Sequence, residues 1–442
     1  MLGQLFGTAD AEGLWSDQAR IAGMLAFEAA LARAEAAESV IPEAAVAPIG
    51  HACRAELYDP DELSAAIAEA GNPAIPLVRA LTLKVAEENP EAARYVHWGA
   101  TSQDAMDTGL VLQLRRYLQP LEETLNALAA ALAQRARAER DTVMAGRTWL
   151  QQGPPVTFGL KAAGWLDALD RHRQRLAELK PRLLTLQFGG AVGTLAALGD
   201  RGLAVARTLA ADLDLTLPAV PWHAARDRIG EIAAWLGLLC GGLGKMARDL
   251  SLMMQHEVGE ASEGGAEGRG GSSTMAHKRN PLSCSVILAA AGETPALVAA
   301  LLAAQPQEHE RGLGNWQAEW QVLPRLALVT LGAARRAEEL LENLQLDRAR
   351  MRQNLEATRG LIFAEAVTMA LAQTLGKQQA HGLIERATRQ ATAEGRHLKE
   401  VLAGQADVRS VLDADALARL FLPENYLGEA GRFVDAVVSR HR

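Results

Sequence analysis

Residues 270–281 read GGSSTMAHKRNP and separate two long stretches rich in alanine, leucine and valine. On either side, residues 229–243 and 286–302 are apolar around most of the helical circumference, so neither helix has a face suited to water. Such helices must pack between neighbours, either in one thick monomeric bundle or in a core shared between subunits. The quoted stretch therefore lies between two core helices.

Helix-forming residues, with apolar positions three and four apart, continue through most of the 442 residues. The pattern predicts helices at 14–38, 104–141, 156–179, 226–258, 281–304, 316–344, 348–357, 362–375, 378–394 and 398–403. Strand signals are weak throughout, and we expect a bend at Pro120, which lacks a backbone donor. The prediction is an all-α fold with a central bundle of long helices and three domains, at residues 1–104, 105–346 and 347–442.

The composition argues against several classes of protein. A formal net charge of −8 gives no support to nucleic-acid binding, which needs a clustered basic surface. Cys53, Cys240 and Cys284 are an odd number without Cys-x-x-Cys spacing, so neither a disulfide framework nor a zinc site is expected. There is no N-terminal leader pattern and no run of about eighteen uncharged apolar residues. We expect a cytoplasmic enzyme without metal, cofactor, nucleic-acid or membrane partner.

The 270–281 stretch carries groups that can handle a carbanion beside a carboxylate. It places the hydroxyls of Ser272 and Ser273, the ammonium of Lys278 and the amide of Asn280 in one glycine-rich loop. Glycine at this density disfavours a helix or strand, so we expect a mobile loop that closes over a bound anion. A flexible connector is the alternative that glycine and serine alone would favour. The order Met-x-x-Lys-x-Asn-Pro favours the catalytic interpretation.

Two further segments combine small polar residues with glycine. Residues 97–104 read HWGATSQD and place Thr101 and Ser102 before a helix whose first turn offers free N–H groups to an anion. A simple helix cap is the alternative for this pair of hydroxyls. Residues 146–151 read GRTWLQ and form the third segment of this kind.

Taken in chain order, residues 97–104, 146–151 and 270–281 resemble the signature motifs of the fumarase/aspartase superfamily. The likeness covers nearly the whole chain, and the pattern Gly-Ser-Ser-x-Met-x-x-Lys-x-Asn-Pro of residues 271–281 is the most specific part. The resemblance implies a three-domain fold and a homotetramer built around a shared helix bundle, with each active site assembled from three subunits. It also implies that a bond beta to a carboxylate is made or broken without a metal.

By this resemblance Ser272 is the catalytic base, activated by the closed loop and by Lys278, and it returns the proton in the opposite direction. Lys278 and Asn280 are expected to hold the carboxylate oxygens of the aci-carboxylate intermediate. The other residues expected to bind substrate are His97, Thr101, Ser102, Thr148, Trp149, Gln151, Ser273 and Arg311. Arg311 is expected to meet a carboxylate in bidentate fashion. Ala276 departs from the usual proline of the loop motif.

Some positions of this chain differ from the usual residues of the superfamily motifs, and these differences indicate which branch of the superfamily the chain resembles. Fumarases, aspartases and adenylosuccinate lyases usually have a histidine at the position of Trp149, paired with a glutamate whose position falls on Ser285 here. Loss of both favours a leaving group that needs no external proton, such as a carboxylate expelled from a lactone. Trp149 is then expected to form a wall for the folded substrate, with simple core packing as the alternative.

The positions that bind nucleotide phosphate in adenylosuccinate lyases are also replaced, by Trp316 and Trp320. Residues 98–104, 146–151 and 306–311, which read WGATSQD, GRTWLQ and PQEHER, resemble the corresponding segments of the lactone-forming cycloisomerases of the superfamily. This resemblance implies a small tricarboxylate substrate, 3-carboxymuconate, closed to a carboxymuconolactone during protocatechuate breakdown. Two alternatives stay open: an amine- or alcohol-eliminating lyase acting on a substituted succinate, and a structural relative that has lost catalysis.

Overall fold

The computed structural model describes residues 3–7, 9–264, 270–271, 274–275 and 277–441. Ser272, Ser273 and Ala276 lie outside these residues, as does part of the loop expected to be mobile, so those expectations stay predictions. Two compact units are present. Unit 1 comprises Met1–Leu125, Arg171–Gly244 and Val286–Arg336, and unit 2 comprises Asn126–Asp170, Lys245–Ser285 and Ala337–Arg442. The expected division into three domains stays a prediction.

The described chain is mainly helical, as the sequence predicted. Its α-helices are α1 (Gly3–Phe6), α2 (Ala9–Leu14), α3 (Asp17–Ala37), α4 (Val46–Ala52), α5 (Pro60–Ala70), α6 (Ala74–Glu88), α7 (Ser102–Ala138), α8 (Phe158–Leu183), α9 (Gly202–Asp212), α10 (Asp227–Met253), α11 (Leu282–Ala303), α12 (Asn315–Asn343), α13 (Arg348–Glu356), α14 (Ala364–Leu375), α15 (Lys377–Glu394), α16 (Leu398–Ala403), α17 (Ala406–Arg409), α18 (Ala414–Arg419) and α19 (Ala430–Val438). Short 3₁₀ turns join several of them.

The five longest predicted helices of the central region correspond to α7, α8, α10, α11 and α12. Their ends differ from the prediction by a few residues, which is usual because terminal turns carry little periodic signal. Pro120 lies inside α7, and the bend expected there stays a prediction.

A β-hairpin replaces part of what the sequence suggested was helix and connecting loop. Strand β1 (Val143–Thr148) pairs antiparallel with β2 (Gln151–Thr157), and α8 begins at Phe158 rather than at residue 156. Strand signals are weak in the sequence, which therefore did not predict this hairpin. The strands are short, and β2 contains two adjacent prolines, Pro154 and Pro155, which lack ladder donors and conceal the alternating pattern. A second short pair joins β3 (Ala261–Glu263) to β4 (Leu344–Leu346).

Unit 1 has an apolar core around α3. Ser16 caps this helix by accepting a hydrogen bond from Ala19 N. The buried side chains of α3, including Leu25, Phe27 and Leu31, join apolar residues of α4, α6, α9 and the start of α7. Full burial stabilises each such leucine or phenylalanine by about 1.5–3 kcal/mol relative to exposure. The core places the start of α7, and the polar loop before it, in a fixed position.

Unit 2 has a separate apolar core. Val143 and Ala145 of β1 belong to the same cluster as buried residues of the C-terminal region, among them Phe363, Leu383 and Phe421. α15 ends at Gly395, whose φ of 64° is the left-handed conformation that glycine adopts without a steric penalty. This core holds the base of the β1–β2 hairpin.

Two helices among the described residues, α10 and α11, are long and apolar enough to cross a membrane by length and composition. Core helices of globular proteins meet the same criterion. In α10, 61% of the most apolar window is buried within the chain, whereas in α11 the share is 28%. A larger part of the apolar window is therefore accessible in α11 than in α10 within a single chain. The expected cytoplasmic location and absence of a membrane partner stay predictions.

Candidate active site

The loop before α7 is held by a buried carboxylate, Asp104, which is inaccessible to solvent. Oδ1 and Oδ2 together accept five hydrogen bonds of 2.7–3.1 Å, so the charge is fully solvated by the protein. The donors are Thr101 N, Gln187 Nε2, Gly189 N, Gly190 N and His223 Nε2. Asp104 thereby ties residues 97–104 to two segments that lie more than 80 positions further along the chain.

Arg311 lies against the same loop and contacts Thr101, so the structure brings together two residues that the sequence predicted. Its Nη2 donates to Thr101 Oγ1 at 3.2 Å and to Ala191 O at 3.0 Å, while Nε donates to Gln103 Oε1 at 3.0 Å. Nη1 is the guanidinium nitrogen without a protein partner among the described residues. The expected bidentate grip on a substrate carboxylate stays a prediction, and it requires Arg311 to release one of these acceptors.

Ser102 is the first residue of α7 and is hydrogen-bonded to Asn72, which the sequence analysis did not identify. Asn72 Nδ2 donates to Ser102 Oγ at 3.2 Å, and its Oδ1 accepts from Ala74 N at 2.9 Å. A cavity of about 330 Å³ lies beside Asn72. Its walls include apolar residues of α3, α5 and α6 together with Arg20. This volume is at the lower end of the range for small-molecule sites.

His97 lies at the start of the same loop, with a backbone φ of 57°. Its Nδ1 is 2.6 Å from Oε1 of Glu28, a buried residue of α3. Burial by itself would lower the pKa of His97, but the charge and hydrogen bond of Glu28, together with the charge of Asp104, outweigh it and raise that pKa. Glu28 was not identified from the sequence, although a glutamate among the apolar residues of a helix was a usable signal.

Trp316 and Trp320, the residues at the expected former phosphate positions, form a T-shaped pair with ring centroids 4.9 Å apart. Trp316 Nε1 donates to Asp107 Oδ1 at 3.3 Å. Asp107 in turn shares the buried guanidinium of Arg226 with Glu319, through hydrogen bonds of 2.6–3.0 Å. The Arg226 charge is thus neutralised by two carboxylates and is not left available to a phosphate.

In unit 2, the β1–β2 hairpin presents residues 148–151 of the GRTWLQ segment. Thr148 and Gln151 are paired across the strands, and Trp149 and Leu150 form the turn, with φ of 52° and 63°. Two positive φ values are the geometry of a two-residue hairpin turn, but they are unfavourable for residues other than glycine or asparagine. Trp149 is 97% exposed. Core packing within its own chain, the alternative considered for this indole, does not occur.

The end of the hairpin next to the turn is anchored by Arg147. Its Nη1 and Nη2 donate to the two oxygens of Glu260 at 2.9 and 2.6 Å, a bidentate ion pair with a carboxylate inaccessible to solvent. Asn354 Nδ2 donates to the same carboxylate at 2.8 Å. The arginine of this segment therefore holds the hairpin through an ion pair with Glu260, which was not predicted from the sequence.

The described part of the 270–281 segment folds back on itself. Gly271 pairs with Arg279 in an antiparallel bridge, and Asn280 N donates to Gly270 O at 2.7 Å. A Cβ at Gly270 would lie 2.5 Å from Asn280 O, so only glycine fits this crossing. Lys278 is exposed and Asn280 is half-buried. The segment ends at α11, where Glu263 accepts hydrogen bonds from the N–H groups of residues 283 and 284.

Comparison with known proteins decides the family. The family described as Lyase matches residues 6–295, and the family described as Adenylosuccinate lyase C-terminus matches residues 360–437. The chain belongs to the fumarase/aspartase superfamily. Members of this superfamily are enzymes that act on small molecules and are typically oligomeric. The membership and the helical fold predicted from the three motifs are confirmed.

Within the superfamily, 3-carboxy-cis,cis-muconate cycloisomerase of Pseudomonas aeruginosa is 56% identical over 436 residues, which cover 99% of this chain and 95% of that enzyme. The enzyme of the same name from Bradyrhizobium diazoefficiens is 51% identical, over 99% of this chain and 97% of the relative. The crystal structure of 3-carboxy-cis,cis-muconate lactonizing enzyme from Pseudomonas putida matches with a TM-score of 0.95 at 52% identity, covering 100% of this chain and 98% of that one.

Proposed function

We propose that this chain is an intramolecular lyase that closes 3-carboxy-cis,cis-muconate to a carboxymuconolactone in the breakdown of protocatechuate. The observation that carries the proposal is the tip of the β1–β2 hairpin. Where superfamily lyases that release water or ammonia have a histidine, this chain has Trp149, 97% exposed. The indole N–H can donate a hydrogen bond, but it is far too weak an acid to transfer its proton to a leaving group. Enzymes with the proposed activity are its full-length relatives at 51–56% identity.

The reaction needs no external acid at the leaving oxygen. One carboxylate of the substrate forms a C–O bond to a carbon of the more distant double bond of the diene, and the π electron pair of that double bond moves to the carbon alpha to another carboxylate. That carbon then takes a proton, so substrate and product are isomers. In reverse, the expelled carboxylate is stable as an anion and remains tethered. Folding the diene for this attack has a large effect on rate, because well-oriented intramolecular pairs reach effective molarities on the order of 10⁵ M or more.

Ser272 is proposed to supply the proton during lactonisation and to remove it in the reverse direction. Lys278 and Asn280 stabilise the aci-carboxylate, whose charge exceeds that of the ground state. The exposure of Lys278 supports this role, since its ammonium has no hydrogen-bond partner among the described residues. Ser273, in the same loop as Ser272, is proposed to bind the substrate.

The residues of unit 1 are proposed to bind the carboxylates that do not react. Thr101 and Ser102 begin α7, where free N–H groups favour an anion. His97 and Arg311 supply positive charge beside them. On the hairpin, Thr148 and Gln151 are exposed and flank Trp149, which we assign as the wall against which the diene folds. A homotetramer, with each site shared between subunits, is part of the proposal.

The proposal is tested by adding purified protein to 3-carboxy-cis,cis-muconate and following loss of the diene absorbance. We expect turnover with the wild type, and Ser272→Ala should lower kcat by about 10²–10⁴-fold, the usual contribution of acid–base catalysis. Ser262→Ala, an exposed serine of β3, serves as the matched control and should keep full activity. An unchanged kcat in Ser272→Ala would contradict the assigned role. No loss of diene at high protein concentration would favour the succinate lyase, or a non-catalytic relative, instead.

A further inference from the structure

The histidine of the unit 1 loop is coupled to a carboxylate that lies deeper in the chain. The contact between His97 Nδ1 and Glu28 Oε1 measures 2.6 Å, and the two side chains are 17% and 2% exposed. A hydrogen bond this short between a ring nitrogen and a carboxylate is typical of a charge-assisted pair. Oε2 of Glu28 has no partner among the described residues. Among the described residues, the Glu28 carboxylate is therefore hydrogen-bonded to the imidazole of His97 through one oxygen, and its other oxygen is unpaired.

The groups around the pair favour the charged form of the ring. Glu35, two turns further along α3, does not compete as a charge at neutral pH, because burial raises its pKa to about 9. The thiol of Cys53 stays neutral for the same reason, since burial raises its pKa as well. Asp104, on α7, adds a second negative charge near the ring. Glu28 and Asp104 together outweigh the cost of burying a charged imidazole.

The other ring nitrogen is left for a ligand. Because Nδ1–H points at Glu28, Nε2 is the remaining donor, and no described residue accepts a hydrogen bond from it. Arg311, the cation that contacts Thr101, already donates from Nε and Nη2 to protein acceptors. The loop also keeps His97 at a φ of 57°, which residues other than glycine rarely adopt. Strain of this kind persists where the surroundings over-determine a functional conformation.

We propose that Glu28 is a positioning residue that holds His97 as an imidazolium, with its Nε2–H donated to one carboxylate of the substrate. The inference rests on the proposed function, since a tricarboxylate is the ligand that needs this charge. Glu28 fixes both the orientation and the protonation of the ring, as carboxylates do for histidines that bind metals or act in catalysis. Glu28 itself does not touch the substrate.

The test is the pH dependence of kcat/KM for the wild type, Glu28→Gln and Glu28→Asp, because this quantity reports groups of the free enzyme. Glutamine can still accept a hydrogen bond but carries no charge. We expect the alkaline fall in kcat/KM to move to lower pH in Glu28→Gln, so that the activity of the variant relative to wild type decreases as the pH rises, mainly through KM. Glu28→Asp keeps the charge and should restore part of the loss.

The matched control is Glu88→Gln, which removes the carboxylate from an exposed pair with His51 at 3.1 Å and should leave the pH profile unchanged. The protonation of His97 is also measured directly, by histidine-selective carbon NMR with His97→Asn to assign the signal. This titration needs no substrate. We expect its midpoint to fall in Glu28→Gln.

An identical His97 titration in wild type and Glu28→Gln would overturn the inference, whatever the activity. An unshifted pH profile in an active Glu28→Gln would overturn it as well. If the wild type fails to convert 3-carboxymuconate but the His97 midpoint falls in Glu28→Gln, the proposed function is wrong and the control of His97 by Glu28 is supported.

Discussion

Glu35 lies on the buried face of α3, and neither carboxylate oxygen has a hydrogen-bond partner among the described residues. Burial, and secondarily the charge of Glu28, raises its pKa from 4.5 to about 9. Between these values the folded chain holds a proton that the unfolded chain has lost. The stability associated with neutral Glu35 is therefore complete below about pH 4.5 and is lost as the pH rises towards 9, by up to about 1.4 kcal/mol per pH unit.

Glu35→Gln should remove this pH dependence, because an amide resembles the protonated carboxyl and does not ionise. We expect the melting temperature of the variant to rise relative to wild type as the pH increases from 5 to 8, with the smallest difference at pH 5. Melting curves across this range provide the measurement. Glu87→Gln, an exposed carboxylate of α6, is the control. Parallel pH dependences for wild type and Glu35→Gln would show that Glu35 ionises in the folded protein.

At the scale of single residues, functional side chains could be identified from the sequence. The buried residues that form hydrogen bonds with them could not. Thr101 and Arg311 were identified and lie in contact. Glu28 was not identified, because it lies 69 positions before the histidine that it binds. The periodicity of a helix shows that a position is buried, but not which polar group meets it there.

α3 and α7 cross at a pair of glycines. A Cβ at Gly23 would lie 2.7 Å from Gly109 O, and one at Gly109 would lie 2.9 Å from Met24 N. Both distances are too short for any other residue, and the neighbouring atoms are backbone. The close approach of these helices therefore depends on the absence of side chains, and it sets where α7 begins relative to α3.

Gly23→Ala should destabilise the protein by about 1–3 kcal/mol, because the added methyl group forces the helix backbones apart. The direction of the change in stability is informative, because replacing glycine by alanine within a helix otherwise stabilises a protein by up to about 1 kcal/mol. Gly50→Ala in α4 provides the comparison, as nothing lies within 4 Å of a Cβ built there. Thermal or urea unfolding measures both. A stabilised Gly23→Ala variant would contradict the proposed crossing.

At the scale of elements, the long helices were predictable because apolar residues recur every three to four positions over 20 residues or more. The β1–β2 hairpin was not. Its turn is Trp149-Leu150 in place of the glycine or asparagine that usually marks a two-residue turn. Pairing with the neighbouring strand and packing on the unit 2 core override this weak local preference.

At the scale of the whole molecule, α11 indicates an interface, because 28% of its most apolar window is buried within one chain. An exposed apolar helix of this length usually marks a protein interface. Burial against further copies of the same chain agrees with the oligomeric character of the superfamily. The proposed homotetramer, with sites completed by neighbouring subunits, would cover this surface.

Leu302→Glu should dissociate the assembly, since Leu302 is 44% exposed on α11 and a buried unpaired carboxylate is costly at an interface. We expect a smaller species by light scattering and loss of most activity, because shared sites would be broken. Leu83→Glu on α6, which is 61% exposed, is the matched control and should leave size and activity unchanged. A Leu302→Glu variant that keeps the wild-type mass would place the interface elsewhere.

The amino-acid sequence by itself determined the helical class, the superfamily and the kind of chemistry. Helical periodicity and contiguous motifs are local patterns, so they can be recognised in the sequence alone. The tertiary structure decided what surrounds those motifs. It placed Trp149 on an exposed turn, paired His97 with Glu28 and saturated Asp104 with five donors. These contacts join segments far apart in the chain, and they depend on how helices pack, which no short stretch of residues encodes.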